Sequence, residues 1–149
     1  MKGRSHSRGV TLIELVVTIT IVAIAVTGVV GALAGSAAQS ADRMIQQQAT
    51  AIASSYLEEI MQKPFRDPNA NGEGARAQFD DVGDYNGLPD NVVRDQQGAA
   101  VAGLGQFQVR VQVGPGVLAG IPAAAVLLIN VTVTHPSGVT VVMSGYKVG

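Results

Sequence analysis

The chain has 149 residues, with ten Lys or Arg against eleven Asp or Glu, two His and no Cys, for a formal net charge of −1. That length leaves room for one modest domain, which buries a limited core and leans on partners. The lack of Cys excludes a disulfide framework and thiolate chemistry, and with no basic cluster beyond Arg8 there is no electrostatic footprint for nucleic acid.

Lys2, Arg4 and Arg8 precede an uncharged run of about twenty residues, from Leu15 to Gly35. In lipid such a lone segment must be helical despite its many β-branched residues, because its backbone has to satisfy itself. At 1.5 Å per residue it spans roughly 30 Å, enough to cross a bilayer. The next Lys or Arg is Arg43, so the positive-inside bias places the N-terminus in the cytoplasm and the C-terminal body on the far side. Glu14 stands at the start of the run. An ionisable group there is costly in hydrocarbon and is read as functional unless it stays hydrated at the headgroups. Gly28, Gly31 and Gly35 punctuate the second half. They either reflect the ordinary frequency of glycine in membrane helices or soften and pack the helix in an assembly.

Ile45, Ala49, Ile52, Tyr56 and Ile60 recur at steps of four, three, four and four. This predicts an amphipathic helix over 36–63, continuing the first and stopped by Pro64. Asp42, Arg43, Gln46, Gln47, Ser54, Glu58 and Glu59 are assigned to its solvent side. Residues 64–105 lose periodicity and are rich in Asp, Asn, Gly and Pro. They read as an irregular connection, turn-rich over Pro68–Gly74 and pinned by Phe79, Val82, Tyr85 and Leu88. Its acidic stretch offers Asp80, Asp81, Asp84, Asn86 and Asp90 as oxygen ligands for calcium. The spacing is not that of an EF-hand, and a solvated structural loop is the commoner reading.

Over 106–149, Phe107, Val109, Val111 and Val113 alternate with polar residues, as do Leu127, Ile129, Val131 and Val133. A turn at His135-Pro136-Ser137-Gly138 leads to a return over Val139–Ser144. The pattern predicts an antiparallel sheet of at least three strands, its apolar face on the amphipathic helix and Arg110, Thr132 and Thr134 on the other. The small-residue connector Gly116–Ala125 lies against the helix or forms a subunit contact, and the sequence leaves both open.

The run Gly9-Val10-Thr11-Leu12-Ile13-Glu14, behind a short basic leader and ahead of an apolar helix, resembles the processing motif of type IV prepilins and pseudopilins. The resemblance implies that residues 1–9 are a leader cut off between Gly9 and Val10 by a prepilin peptidase, which also methylates the new amine of Val10. Val10 stands where many such proteins carry Phe or Met. It implies a filament-core helix over 10–35, and an α+β fold in which a long N-terminal helix, transmembrane in its first half, packs on a small C-terminal antiparallel sheet. Glu14 would then pair with the Val10 amine of a neighbouring subunit and fix axial register, since a carboxylate in a dry interface needs a partner. Gly28, Gly31 and Gly35 would join the assembly surface.

Tyr56-Leu57-Glu58-Glu59-Ile60-Met61, Pro64-Phe65, Phe79-Asp80-Asp81-Val82 and Asp84-Tyr85-Asn86-Gly87 look like minor pilins of MSHA-type systems, especially the D subclass. That implies a subunit of a type IV pilus-like filament, with a role in adhesion, motility or priming. Its partners would be other pilins, the peptidase, membrane lipid and an inner-membrane assembly platform, with no nucleic acid. It would start as a single-pass protein of the bacterial inner membrane with a periplasmic head. The alternatives are a type II secretion pseudopilin and a tethered binding domain that never polymerises. An enzyme is not expected: His6 belongs to the leader, His135 sits in a turn, and no spacing suggests a triad.

Overall fold

The computed structural model describes residues 11–69 and 73–149. The leader, Gly9 and Val10 lie outside them, as do residues 70–72 of the turn-rich stretch. The chain forms two compact units, one ending at Ala41 and the other running from Asp42 to Gly149. Helix α1 (Leu12–Met61) contributes to both.

In the first unit, the helical stretch Leu12–Ala34 is long and apolar enough to cross a membrane. Its large apolar side chains are all exposed, from 49% at Val17 to 83% at Leu12. The helix begins where the side chain of Thr11 accepts a hydrogen bond from the Glu14 backbone N–H (3.3 Å), half of a Thr-x-x-Glu capping box. Its three threonines would be polar defects in hydrocarbon. Each hydroxyl instead donates to the carbonyl one turn back: Thr18 to Glu14, Thr20 to Val16 and Thr27 to Ala23.

The second unit is the head. Four strands, β1 (Pro89–Asp90), β2 (Gln108–Pro115), β3 (Val126–Thr134) and β4 (Thr140–Val148), form one antiparallel sheet in chain order. Val109 faces Val133 and Val111 faces Val131 in the β2–β3 register, which gathers the alternating valines on one face. Ala49, Ile52, Ala53, Tyr56 and Ile60 of α1 share a single buried cluster with these valines, Ile129, Val82, Tyr85, Val93 and Phe107. This two-layer arrangement is the α+β, pilin-like fold expected from the resemblance.

Three details depart from the pattern-based reading. Strand β4 runs on to Val148, beyond Ser144. Gly145 interrupts the alternation because Leu57 of α1 occupies the space of its side chain: a Cβ there would lie 3.1 Å from Leu57 Cδ1. Strand β1 comes from the irregular connection and is too short to leave a periodic signal. The connector after β2 packs on the sheet at Gly116, where a Cβ would meet Val126 Cγ1 at 2.7 Å and Tyr146 Cδ1 at 3.1 Å. The connection over 64–105 is anchored by buried Val82, Tyr85 and Val93 and by an edge-on Phe79–Tyr85 contact at 5.0 Å.

Candidate functional site

Three features carry chemistry: the N-terminal helix, a buried ion-pair network in the head, and an acidic cluster beside it.

The carboxylate of Glu14 lies in the first turn of α1, where the helix dipole favours an anion. A side chain at Gly28 or Gly31 would meet nothing within 4 Å, so no packing among the described residues requires glycine at either position. The surroundings of Gly35 lie outside the described side chains.

The head network centres on Arg76, in a short 3-10 turn (Arg76–Gln78), with its side chain only 5% exposed. Its Nη1 donates to Asp90 Oδ2 at 2.6 Å and its Nη2 to Glu59 Oε2 at 2.9 Å. The guanidinium lies 4.4 Å from the centre of the Tyr56 ring, a cation–π stack that suits Arg better than Lys. Tyr56 donates its hydroxyl proton to Asp90 (2.8 Å) and accepts the Arg94 backbone N–H (2.8 Å), while Tyr85 donates to Glu59 (2.7 Å). Helix, connection and sheet edge are thereby tied together by charge-assisted bonds. Glu59, assigned from sequence to the solvent side, is instead buried. It stands seven residues after Ile52 and three after Tyr56, so it falls on the apolar stripe. Asp90, a candidate calcium ligand by sequence, is committed to Arg76.

Burial opposes the charge on Arg76, but Tyr56, Glu59 and Asp90 outweigh it and raise its pKa. Burial also pushes the Tyr56 hydroxyl up to about 12, despite the opposing Arg94 N–H and Arg76 charge. It raises Tyr85 too, helped by the bond to Glu59. The fold thus holds a proton on Tyr56 that the unfolded chain releases near pH 10. In that window the unfolded state binds fewer protons, so stability falls as pH rises. The Tyr56 contribution should be at its full value below about pH 10, and stability should drop by roughly 2–3 kcal/mol as the pH climbs through about 12. Denaturant midpoints against pH, with tyrosinate absorbance followed in parallel, check this.

The acidic cluster comprises Glu73, Asp80, Asp81 and Asp84, whose carboxylates each place an oxygen within 4.8 Å of the others. Three were anticipated. Glu73 was missed because the turn-rich stretch returns it from seven residues away. Asn86 is not among them: its Oδ1 accepts the Val113 backbone N–H at 3.0 Å. Asp84 Oδ2 accepts from the backbone N–H groups of Asp80 and Asp81, and Asp81 Oδ1 from that of Gly83. Glu73 Oε2 and Asp80 Oδ1 are enclosed without a hydrogen-bond donor among the described residues. Glu73 is shifted up by a carboxyl–carboxyl contact with Asp84, and Asp80 by desolvation and then by Asp67, Asp84 and Asp81. Two undonated oxygens among four acids suit a divalent cation, which would hold them together by charge.

His135 contacts Ser137 and Gln106 and packs against Phe107 (ring centroids 4.8 Å apart), an arrangement that orders the hairpin turn.

The family described as a prokaryotic N-terminal methylation motif matches residues 4–30. Comparison with curated proteins and with solved structures gave no match. The methylation motif is consistent with a protein of the type IV pilin and pseudopilin kind, and fold and motif together match a non-catalytic structural protein of that type. The apolar helix and the motif are consistent with single-pass insertion in the inner membrane, and the motif implies processing by a prepilin peptidase and association with other pilins.

Proposed function

We propose that this protein is a minor pilin, cut between Gly9 and Val10, methylated on Val10, and incorporated into or priming a type IV pilus-like filament that serves adhesion or motility. The observation that carries the reading is the apolar helical stretch Leu12–Ala34, whose large side chains are all exposed and which overlaps the methylation motif matched over residues 4–30. Such a surface needs lipid or a bundle of like helices. In this reading residues 10–35 form the filament-core helix, residues 36–63 carry it into the head, and residues 64–149 supply the irregular connection and the sheet of the subunit's outer surface. Glu14 pairs with the Val10 amine of a neighbour. Gly28, Gly31 and Gly35 allow close helix approach. The resemblance to the D subclass of MSHA-type minor pilins belongs to the same proposal.

Mass spectrometry of sheared surface fibres tests it. The expected result is this chain among the fibre subunits, starting at N-methylated Val10. A functional protein that keeps residues 1–9 overturns the reading. Recovery only in a short periplasmic assembly would replace it with the type II secretion pseudopilin.

The acidic cluster enters the proposal as a calcium site that stiffens the head loop. Because Glu73 and Asp80 are shifted up, the cluster in the absence of a cation stabilises the fold below the carboxylate range and loses that contribution as pH rises through it. At neutral pH, calcium at about a hundred times its Kd should add about 2.7 kcal/mol, and the gain should vanish in Glu73→Gln/Asp84→Asn. Thermal melts with calcium and with chelator read this directly, and an unchanged Tm removes calcium from the proposal.

A further inference from the structure

We propose that Asn86-Gly87 is a latent deamidation site, held shut by its place on the edge of β2 and opened only when that edge detaches. Of the asparagines in the chain, only Asn71 and Asn86 precede glycine. A glycine puts no side chain in the way of its own amide nitrogen, so such pairs cyclise readily. Base takes the Gly87 amide proton, the nitrogen bonds to Asn86 Cγ, and the side-chain amide leaves as ammonia. Water then opens the cyclic imide at one carbonyl or the other, giving aspartate or isoaspartate.

Access does not protect the pair, because Asn86 and Gly87 are both exposed. Bonding does. The nucleophile, the Gly87 N–H, donates to the Val111 carbonyl at 3.0 Å. Asn86 Oδ1, on the carbon to be attacked, accepts the Val113 N–H at 3.0 Å. The Asn86 N–H donates to the Gly83 carbonyl at 2.9 Å. Backbone geometry adds to the lock. Ring closure needs the Gly87 nitrogen eclipsed with the Asn86 side chain about the Cα–C bond, and ψ of 125° at Asn86 turns it well away.

The lock belongs to the sheet. Strand β1 is two residues long, yet the ladder continues past it. The Val111 N–H donates to the Leu88 carbonyl at 3.1 Å, and the Asn86 side chain takes the next place along β2, at Val113. It stands in for the backbone of a missing strand residue and covers an amide that would otherwise face out from the sheet. Gly87 is kept by its φ of +81°, which other residues adopt only under strain. The turn therefore holds a glycine where chemistry makes it hazardous. Isoaspartate lengthens the main chain at residue 86, so Gly87 and Leu88 would lose their register with Val111. The reaction both requires the edge to open and prevents it from closing again.

The test keeps the full chain in detergent micelles at mildly alkaline pH and follows Asn86 by peptide mass spectrometry. In urea, Asn86 and Asn71 should deamidate at similar rates. In the folded head Asn86 should slow by about a hundredfold, because three hydrogen bonds must open together. Val113→Pro deletes a single edge-facing donor, a change that edge positions tolerate, and should speed the folded-state reaction about fivefold. Hydrogen exchange at the Gly87 amide of the wild-type chain gives a second measure that needs no variant: deamidation should be slowed at least as much as exchange. A folded wild-type chain that reacts within threefold of its urea rate overturns the inference. So does a folded Val113→Pro head with an unchanged rate, or deamidation slowed far less than exchange.

Discussion

Arg76→Ala is expected to destabilise the head by about 3–5 kcal/mol, the range for removing one partner of a buried ion pair. The cost comes less from lost attraction than from what remains: Glu59 and Asp90, with side chains 8% and 7% exposed, would be left as two neighbouring carboxylates with no cation between them. Arg94 cannot substitute, because its Nε is 3.6 Å from Asp90 and its side chain is 42% exposed, where an ion pair contributes little. The stack on Tyr56 would be lost as well. Small domains are stable by about 5–15 kcal/mol, so much of the margin would go. Arg76→Lys separates charge from shape. It restores a cation but neither the two-pronged donor geometry nor the planar stack, and should recover only part of the loss. Urea denaturation followed by circular dichroism measures both. A midpoint for Arg76→Ala within about 0.5 kcal/mol of wild type, the range of an ordinary surface change, would refute the network's role.

Glu14→Gln should reduce incorporation into filaments at least tenfold, equivalent to about 1.4 kcal/mol per subunit. The substitution isolates charge from helix initiation. Gln serves at the third position of a capping box as Glu does, and the Thr11 bond to the residue-14 backbone N–H does not involve the side chain being changed. The start of α1 should therefore persist while the pairing proposed with the Val10 amine disappears. Thr11→Ala supplies the opposite control: it removes the cap, at a cost of about 1 kcal/mol, and keeps the carboxylate. Immunoblots of sheared fibres against membrane fractions compare the variants. Equal incorporation of Glu14→Gln and wild type would leave the Glu14 carboxylate with its place in the first turn of α1 alone.

Periodicity made the architecture legible. The four-three-four-four spacing from Ile45 to Ile60 and the alternating valines of β2 and β3 each name the face that is buried, because one-sided burial and helix or strand geometry impose those periods. The ionic core was not legible. Glu59, Arg76 and Asp90 are single charges spread over thirty-two positions, and nothing local says that they meet. Glu59 beside Glu58 reads as a solvated pair until its place on the Ile52–Tyr56 stripe is weighed. The acidic cluster was half legible. Asp80, Asp81 and Asp84 are adjacent in sequence, whereas Glu73 joins them through a turn, and Asn86 and Asp90 leave them for a strand amide and a guanidinium.

The back-bonded threonines of α1 have a consequence for selectivity. With the protons of Thr18, Thr20 and Thr27 each given to their own backbone, the stretch from Leu15 to Leu33 offers a neighbour no free side-chain donor. A helix lying alongside discriminates chiefly by steric fit at the notches of Gly28 and Gly31 and by the lone acid near the end. Moving such a rod between two dry surroundings changes little hydrophobic free energy, so exchange there is close to balanced, and the choice of which subunit sits beside which falls to the heads.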